Sequence, residues 1–180
     1  MSKRMRRMLL GAIEAQNIAY AKRSLLTGAS ADGSRWRRVF APHEPTPLIA
    51  AVRAGSREIV ELLLDHGANP DRGTAHWPTP LALACAQGDR SIVELLLERG
   101  AALNEAGSRH GGALEHAAWY RQDDLVALLL ERGADPQPVM ARGLGSLIRI
   151  SDSILTRLIA AGGRAPPEIV KMLAAKGSGR

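Results

Sequence analysis

The sequence predicts an all-α solenoid of about five stacked helix-turn-helix units, and three observations predict it. The triplets Leu62-Leu63-Leu64, Leu95-Leu96-Leu97 and Leu128-Leu129-Leu130 recur at a spacing of 33 residues. The pairs Gly67-Ala68, Gly100-Ala101 and Gly133-Ala134 recur at the same spacing, and Thr46-Pro47-Leu48 returns as Thr79-Pro80-Leu81 and then as Gly112-Ala113-Leu114. Within each period the apolar residues follow a helical pattern, twice. Self-similarity at such a period marks a row of units that each bury little surface alone and are held by their neighbours.

Each element of the unit has a local cause. Thr46 and Thr79 suit the cap of a first helix through a side-chain oxygen, and the prolines after them sit where a missing N–H costs nothing. Leu48, Ala51 and Val52, like Leu81, Ala84 and Cys85, give that helix a narrow apolar stripe whose small side chains let neighbours approach. Gly55 and Gly88 end it and permit the reversal. Ile59, Val60, Leu62, Leu63 and Leu64 make the second helix strongly apolar, while Glu58, Glu61 and Asp65 face water. Gly67, Gly100 and Gly133 fit a left-handed cap after it.

A 33-residue unit that opens Thr-Pro-Leu and closes Leu-Leu-Leu-x-x-Gly-Ala resembles the ankyrin repeat. The pattern extends upstream through Leu9, Ala12, Ile13, Ile18, Leu25, Leu26, Gly28 and Ala29 at an offset of 39, which puts six extra residues into the connection from Ser30 to Pro45. Downstream, Leu147, Ile150, Ile154, Leu158, Ile159 and Gly162 read as a unit shortened by four residues at its inter-helix turn. The expected organisation is one domain over 1–180. Its units are about 6–45, 46–78, 79–111, 112–144 and a degenerate 145–164, with a capping helix over 166–176.

The sequence also departs from the family pattern. The histidine that usually follows Thr-Pro-Leu is replaced by Ile49, Ala82 and Glu115, which removes its hydrogen bond to the threonine. The fourth and fifth units have Gly112-Ala113 and Gly145-Ser146 in place of Thr-Pro. A lost cap costs about 1 kcal/mol, so stability is expected to fall towards the C-terminus. Hydrogen exchange should therefore be slower over residues 46–100 than in the second half, and the reverse order would contradict this gradient.

Composition excludes several functions. No apolar run approaches the roughly 20 residues of a membrane span. The basic start, Met1 to Ile13, is interrupted by Glu14, and the stretch after Arg6-Arg7 is too short for an export signal. A cytoplasmic protein with no membrane partner is expected. Cys85 is the one cysteine, which rules out an intramolecular disulfide or a multi-cysteine metal site. The formal charge of +6 lies at the ends: residues 1–45 carry +6, residues 46–144 carry −4 and residues 145–180 carry +4. A uniformly basic nucleic-acid binder would not be distributed in this way.

No catalytic set emerges, and no enzyme activity, cofactor or metal is expected. His43, His66, His76, His110 and His116 lack metal-ligand spacing. His66 stands where sister units have Arg99 and Arg132, suited to a helix C-terminus. Cys85 falls at an inward small-residue position and reads as a buried thiol. Gly143-Leu144-Gly145-Ser146 lacks the lysine of a phosphate loop.

The resemblance implies a protein-binding concave face built from finger loops and first helices. By position, the fingers are Arg35 to Pro45, Arg72 to Pro78, Glu105 to Gly111 and Gln137 to Leu144. The exposed first-helix ends are Glu14-Ala15, Arg53-Ala54, Ala86-Gln87 and Trp119-Tyr120. Of the six aromatic residues, Trp36, Phe40, Trp77, Trp119 and Tyr120 fall in these segments, with Tyr20 the sixth. Large aromatics and arginines dominate interface hot spots. The candidate partner-binding residues are Trp36, Arg53, Arg72, His76, Trp77, Arg109, Trp119, Tyr120 and Arg142, with Arg121 beside them. Two placements of Trp77 fit the sequence, an exposed anchor or a cover over the seam between units. For Trp119 and Tyr120, both can be exposed, or one can pack inward.

The function expected is a non-catalytic scaffold, monomeric alone, that binds and inhibits one dedicated protein carrying an acidic or mixed polar and apolar patch. Small ankyrin-like proteins of this size are similar to bacterial immunity proteins. The alternative is nucleic-acid binding through Arg4, Arg6, Arg7, Arg35, Arg37 and Arg38, interleaved with Trp36 and Phe40.

Overall fold

The computed structural model describes residues 3–31, 44–74, 76–105, 111–142 and 144–177. All regular structure among them is helical. Four helix pairs follow one another: α1 (Lys3–Glu14) with α2 (Ile18–Leu26), α3 (Pro47–Arg53) with α4 (Arg57–Asp65), α5 (Pro80–Gln87) with α6 (Arg90–Glu98), and α7 (Ala113–Trp119) with α8 (Asp123–Glu131). The short α9 (Gln137–Met140) and α10 (Leu144–Leu147) precede α11 (Asp152–Ala160) and α12 (Pro167–Gly177). The first helices stack on one another in the order α1, α3, α5, α7, and behind them α2 packs on α4, α4 on α6 and α8 on α11. This is the predicted solenoid.

Local chemistry sets the helix ends. Thr46 Oγ1 accepts from Ile49 N–H at 3.1 Å and Thr79 Oγ1 from Ala82 N–H at 3.3 Å, each with proline at the next position. Gly67, Gly100 and Gly133 adopt φ of 82°, 85° and 88°, the left-handed caps expected after the second helices. His66 Nδ1 lies 2.9 Å from Leu62 O at the end of α4. Between units, Asp71 accepts from Ala102 N–H at 2.7 Å, and its equivalent one unit on, Asn104, accepts from Asp135 N–H at 2.9 Å. Arg99 joins Glu61 and Asp65 of the preceding unit on the outer face.

The core is one continuous strip of these equivalent positions. Ile59, Ile92 and Leu125 are buried, as are Leu63, Leu96 and Leu129. Cys85 is buried at the position held by Val52 and Ala118 in the neighbouring units. Burial pushes its thiol up from 9.0 to about 12. A raised folded-state value stabilises the fold fully below the unfolded pKa, and that contribution is lost as the pH climbs from about 9 towards 12. The loss of stability over this window should therefore be larger in the wild type than in Cys85→Ala, measured by urea unfolding. Equal losses would show that Cys85 does not titrate differently on folding.

Two expectations need correction. Residues Gln137 to Leu144 do not form a finger loop throughout, because Asp135 Oδ1 accepts from Gln137 N–H at 2.9 Å and starts α9, whose Val139 and Met140 are buried. Nor is the fourth first helix wholly uncapped. Glu115 Oε2 accepts from Gly112 N–H at 2.6 Å, which supplies half of a capping box where the threonine is missing.

A candidate partner-binding pocket between α7 and α9–α10

The C-terminal turn of α7 carries the most exposed aromatics of the described first helices. Trp119 and Tyr120 are 46% and 56% exposed, whereas the equivalent positions in the earlier units hold Arg53-Ala54 and Ala86-Gln87. Neither aromatic packs inward. Both line a pocket of about 220 Å³ together with Glu115, His116, Val139, Arg142, Ser146 and Ile150. The pocket lies between α7 and the irregular segment of α9 and α10 that follows α8 in place of a regular first helix.

Its floor is held by an ion pair. Glu115 occupies the position filled by Ile49 and Ala82 in the earlier units, both fully buried. Its carboxylate meets Arg142, with Nε and Nη2 both 2.7 Å from Oε1. Glu115 is mostly enclosed while Arg142 is about half exposed, so the arginine presents donors to a visitor after satisfying the glutamate. His116 Nδ1 lies 3.1 Å from Gly112 O, and its ring stacks on Tyr120 with centroids 6.4 Å apart. The Arg149 guanidinium lies 5.8 Å from the centre of the Trp119 ring. The result is an apolar pocket with aromatic walls and a cationic rim.

A second patch lies earlier in the stack. Trp77 is half-buried in a finger turn closed by Thr74 N–H donating to Trp77 O at 3.0 Å, with Thr74 Oγ1 accepting from Trp77 N–H at 3.1 Å. The Arg53 guanidinium sits over its ring at 5.3 Å and also approaches Glu14 at 3.7 Å. His76 is exposed beside it and Arg72 is half-buried at the base of the finger. Trp36 and Arg109 lie outside the described residues, as do Phe40 and His110.

The structure thus brings Trp119, Tyr120 and Arg142 into one pocket and pairs Arg53 with Trp77. Sequence reasoning passed over Glu115, His116, Val139, Ser146, Arg149 and Ile150. The signal for Glu115 was present: a carboxylate at a position that is apolar in the sister units.

Arg121 adds a backbone observation. It has φ 60° where the sister units use Gly55 and Gly88, and in the first unit Gln16 has φ 50° but donates from its side chain to Ala54 O at 2.7 Å. A non-glycine residue in this region costs roughly 1–2 kcal/mol. Arg121→Gly is therefore expected to stabilise the protein by about 1 kcal/mol in urea unfolding; a loss of stability would mean that Arg121 makes a compensating contact.

Stacked helix pairs joined by finger turns, with a pocketed face of aromatics and paired charges, define a repeat scaffold of the binding class. The chain belongs to the ankyrin-repeat family: the model described as ankyrin repeats (3 copies) matches residues 73–139, and that of a single ankyrin repeat matches residues 45–75. Among solved structures it is similar to the human ASB11 ankyrin repeat domain, at 23% identity and a TM-score of 0.70, covering 93% of this chain and 81% of that one. No curated protein sequence matches the chain. The fold is characteristically a scaffold for protein–protein interaction. Among the described residues no group of three or more His, Cys, Asp or Glu converges on a possible metal position, and no helix is long and apolar enough to cross a membrane.

Proposed function

We propose that the protein binds and inhibits one dedicated protein partner, in the manner of an immunity protein, and that the pocket between α7 and α9–α10 receives an apolar side chain of that partner. The observation that carries this reading is the exposure of Trp119 and Tyr120 around a preformed pocket of about 220 Å³. A soluble surface rarely leaves two large aromatics together without use, and such residues anchor interfaces. Arg142 and Arg149 at the rim favour acidic or carbonyl groups around the inserted side chain. Trp77 under Arg53 is the second contact, and Arg121 a further cation, kept at a backbone cost. A preformed pocket suits a fixed complementary surface, which favours one partner over many.

Affinity capture from the source cell's lysate tests the proposal, with Trp119→Ala/Tyr120→Ala as the folded control. One protein is expected to be retained by the wild type, lost by the variant and slowed in its own activity when bound. A partner held equally by both would move the binding site elsewhere. A partner bound but not inhibited would leave an adaptor.

The nucleic-acid alternative rests largely on residues 35–40, which lie outside the described residues.

A further inference from the structure

The first unit differs from the others on its outward helix. The second helices α2, α4, α6 and α8 have equal length and begin and end at equivalent positions, so they compare residue by residue. Their first position is Arg57, Arg90 and Asp123 in the later units but Ile18 in α2, where it is 43% exposed. Their last position is Asp65, Glu98 and Glu131 but Leu26 in α2, where it is 71% exposed. Between them, Glu61, Glu94 and Ala127 correspond to Lys22. Spacings of four place Ile18, Lys22 and Leu26 in one stripe along the helix. Arg23 adjoins it, while Tyr20 stands on the other side of the helix. Tyr20 is equivalent to the buried Ile59, Ile92 and Leu125 but is exposed, since no described residue packs there as a preceding unit.

Charge sharpens the contrast. Residues 3–31 carry six basic side chains and one acidic one, Glu14, which faces Arg53 of the next unit. Arg4 and Arg7 of α1 are exposed, as are Lys22 and Arg23, and none of the four forms an ion pair among the described residues. In the later units this outer stripe is charged at both ends, by Arg57 and Asp65, Arg90 and Glu98, and Asp123 and Glu131. Here that face has lost its acids and gained aliphatic side chains between cations.

We propose that the outward face of this first unit docks peripherally on an anionic lipid bilayer, with Ile18 and Leu26 at the headgroup boundary and Arg4, Arg7, Lys22 and Arg23 on the phosphates. Aliphatic side chains interleaved with cations are what an interfacial helix face requires. A phosphate backbone would account for the arginines but leaves Ile18 and Leu26 without a role. A second copy docking through the same face would bring like charges together. The lack of a membrane-spanning helix, which led the sequence to suggest no membrane partner, does not bear on surface docking.

The test is co-sedimentation of the full chain with vesicles of phosphatidylcholine and phosphatidylglycerol in equal parts, and with vesicles of phosphatidylcholine alone. The informative variant is Ile18→Arg/Leu26→Glu. It installs side chains that sister helices already carry, so it should fold, and it leaves the net charge unchanged. Wild-type protein should partition onto the anionic vesicles at least about tenfold better than onto the neutral ones, weakening with salt. The double variant should lose at least about tenfold, while Trp119→Ala/Tyr120→Ala should bind like the wild type. Absence of vesicle binding, or equal binding by the double variant, would overturn the proposal. So would tighter binding to DNA that survives the double change. Self-association lost in the double variant, without vesicle binding, would assign the face to a second copy instead.

Discussion

Leu96→Ala is expected to lower the unfolding free energy by about 2–5 kcal/mol. Leu96 is fully buried in α6, at the position of Leu63 and Leu129, and its carbonyl accepts the cap from Ala101 N–H at 2.9 Å. Removing its side chain loses transfer free energy and leaves a cavity that tightly stacked helices close only in part. The loss is large against the 5–15 kcal/mol that typically separates folded from unfolded states. Position in the stack matters as well. Each unit is held by its neighbours, so weakening the third uncouples the pairs α1–α4 from those that follow α6. Urea unfolding should shift to lower midpoint and split or broaden. The same truncation at Leu158 in α11, equally buried but near the end, should shift the transition with less broadening. A single sharp transition displaced by under 1 kcal/mol would mean that the core around α6 repacks, against the rigidity on which the pocket reading depends.

That core was the most legible part of the sequence, because the same side chain meets the same environment every 33 residues. Leu63, Leu96 and Leu129 announce one another, and so do the capping threonines and glycines. Legibility failed where the repeat loses its register. Nothing in Gln137-Pro138-Val139-Met140 repeats an earlier unit, and α9 depends on Asp135 accepting one N–H and on burial of Val139 and Met140 beneath it. The pocket lies at that break. Trp119 and Tyr120 stood out in the sequence as aromatics at the exposed end of a first helix, but the space beside them is walled by Val139, Ser146 and Ile150 of the irregular segment that follows. The Glu115–Arg142 pair joins residues 27 apart across the irregular segment, and no periodicity encodes that distance. Trp77 shows a different limit: the sequence admitted both an exposed anchor and a seam cover, and a cation from the first helix of its own unit, Arg53, half-covers it.

Gly111→Ala should lower stability by about 1–3 kcal/mol and disturb the pocket at the same time. Two effects add there. Gly111 has φ 86°, a region in which any Cβ is strained. In addition, a Cβ at this position would lie 2.5 Å from Glu115 Oε2 and 2.8 Å from Arg142 Nη2, closer than atoms can approach. The side-chain ends are the softer party, so the ion pair would give way before the backbone. Gly100 isolates the first effect. It has φ 85°, yet nothing lies within 4 Å of its would-be Cβ. Gly100→Ala therefore carries the backbone strain alone, about 1 kcal/mol. The difference between the two variants reports the displacement of Glu115 from both Arg142 and Gly112 N–H. It should largely vanish in a Glu115→Ala background, where the carboxylate is already gone, although Arg142 still limits the space. If Gly111→Ala costs no more than Gly100→Ala in the wild-type background, the ion pair moves freely and the pocket floor is not fixed by it. If instead the two differ and binding of the captured partner falls with Gly111→Ala alone, then the floor on which Trp119 and Tyr120 stand is part of what the partner recognises.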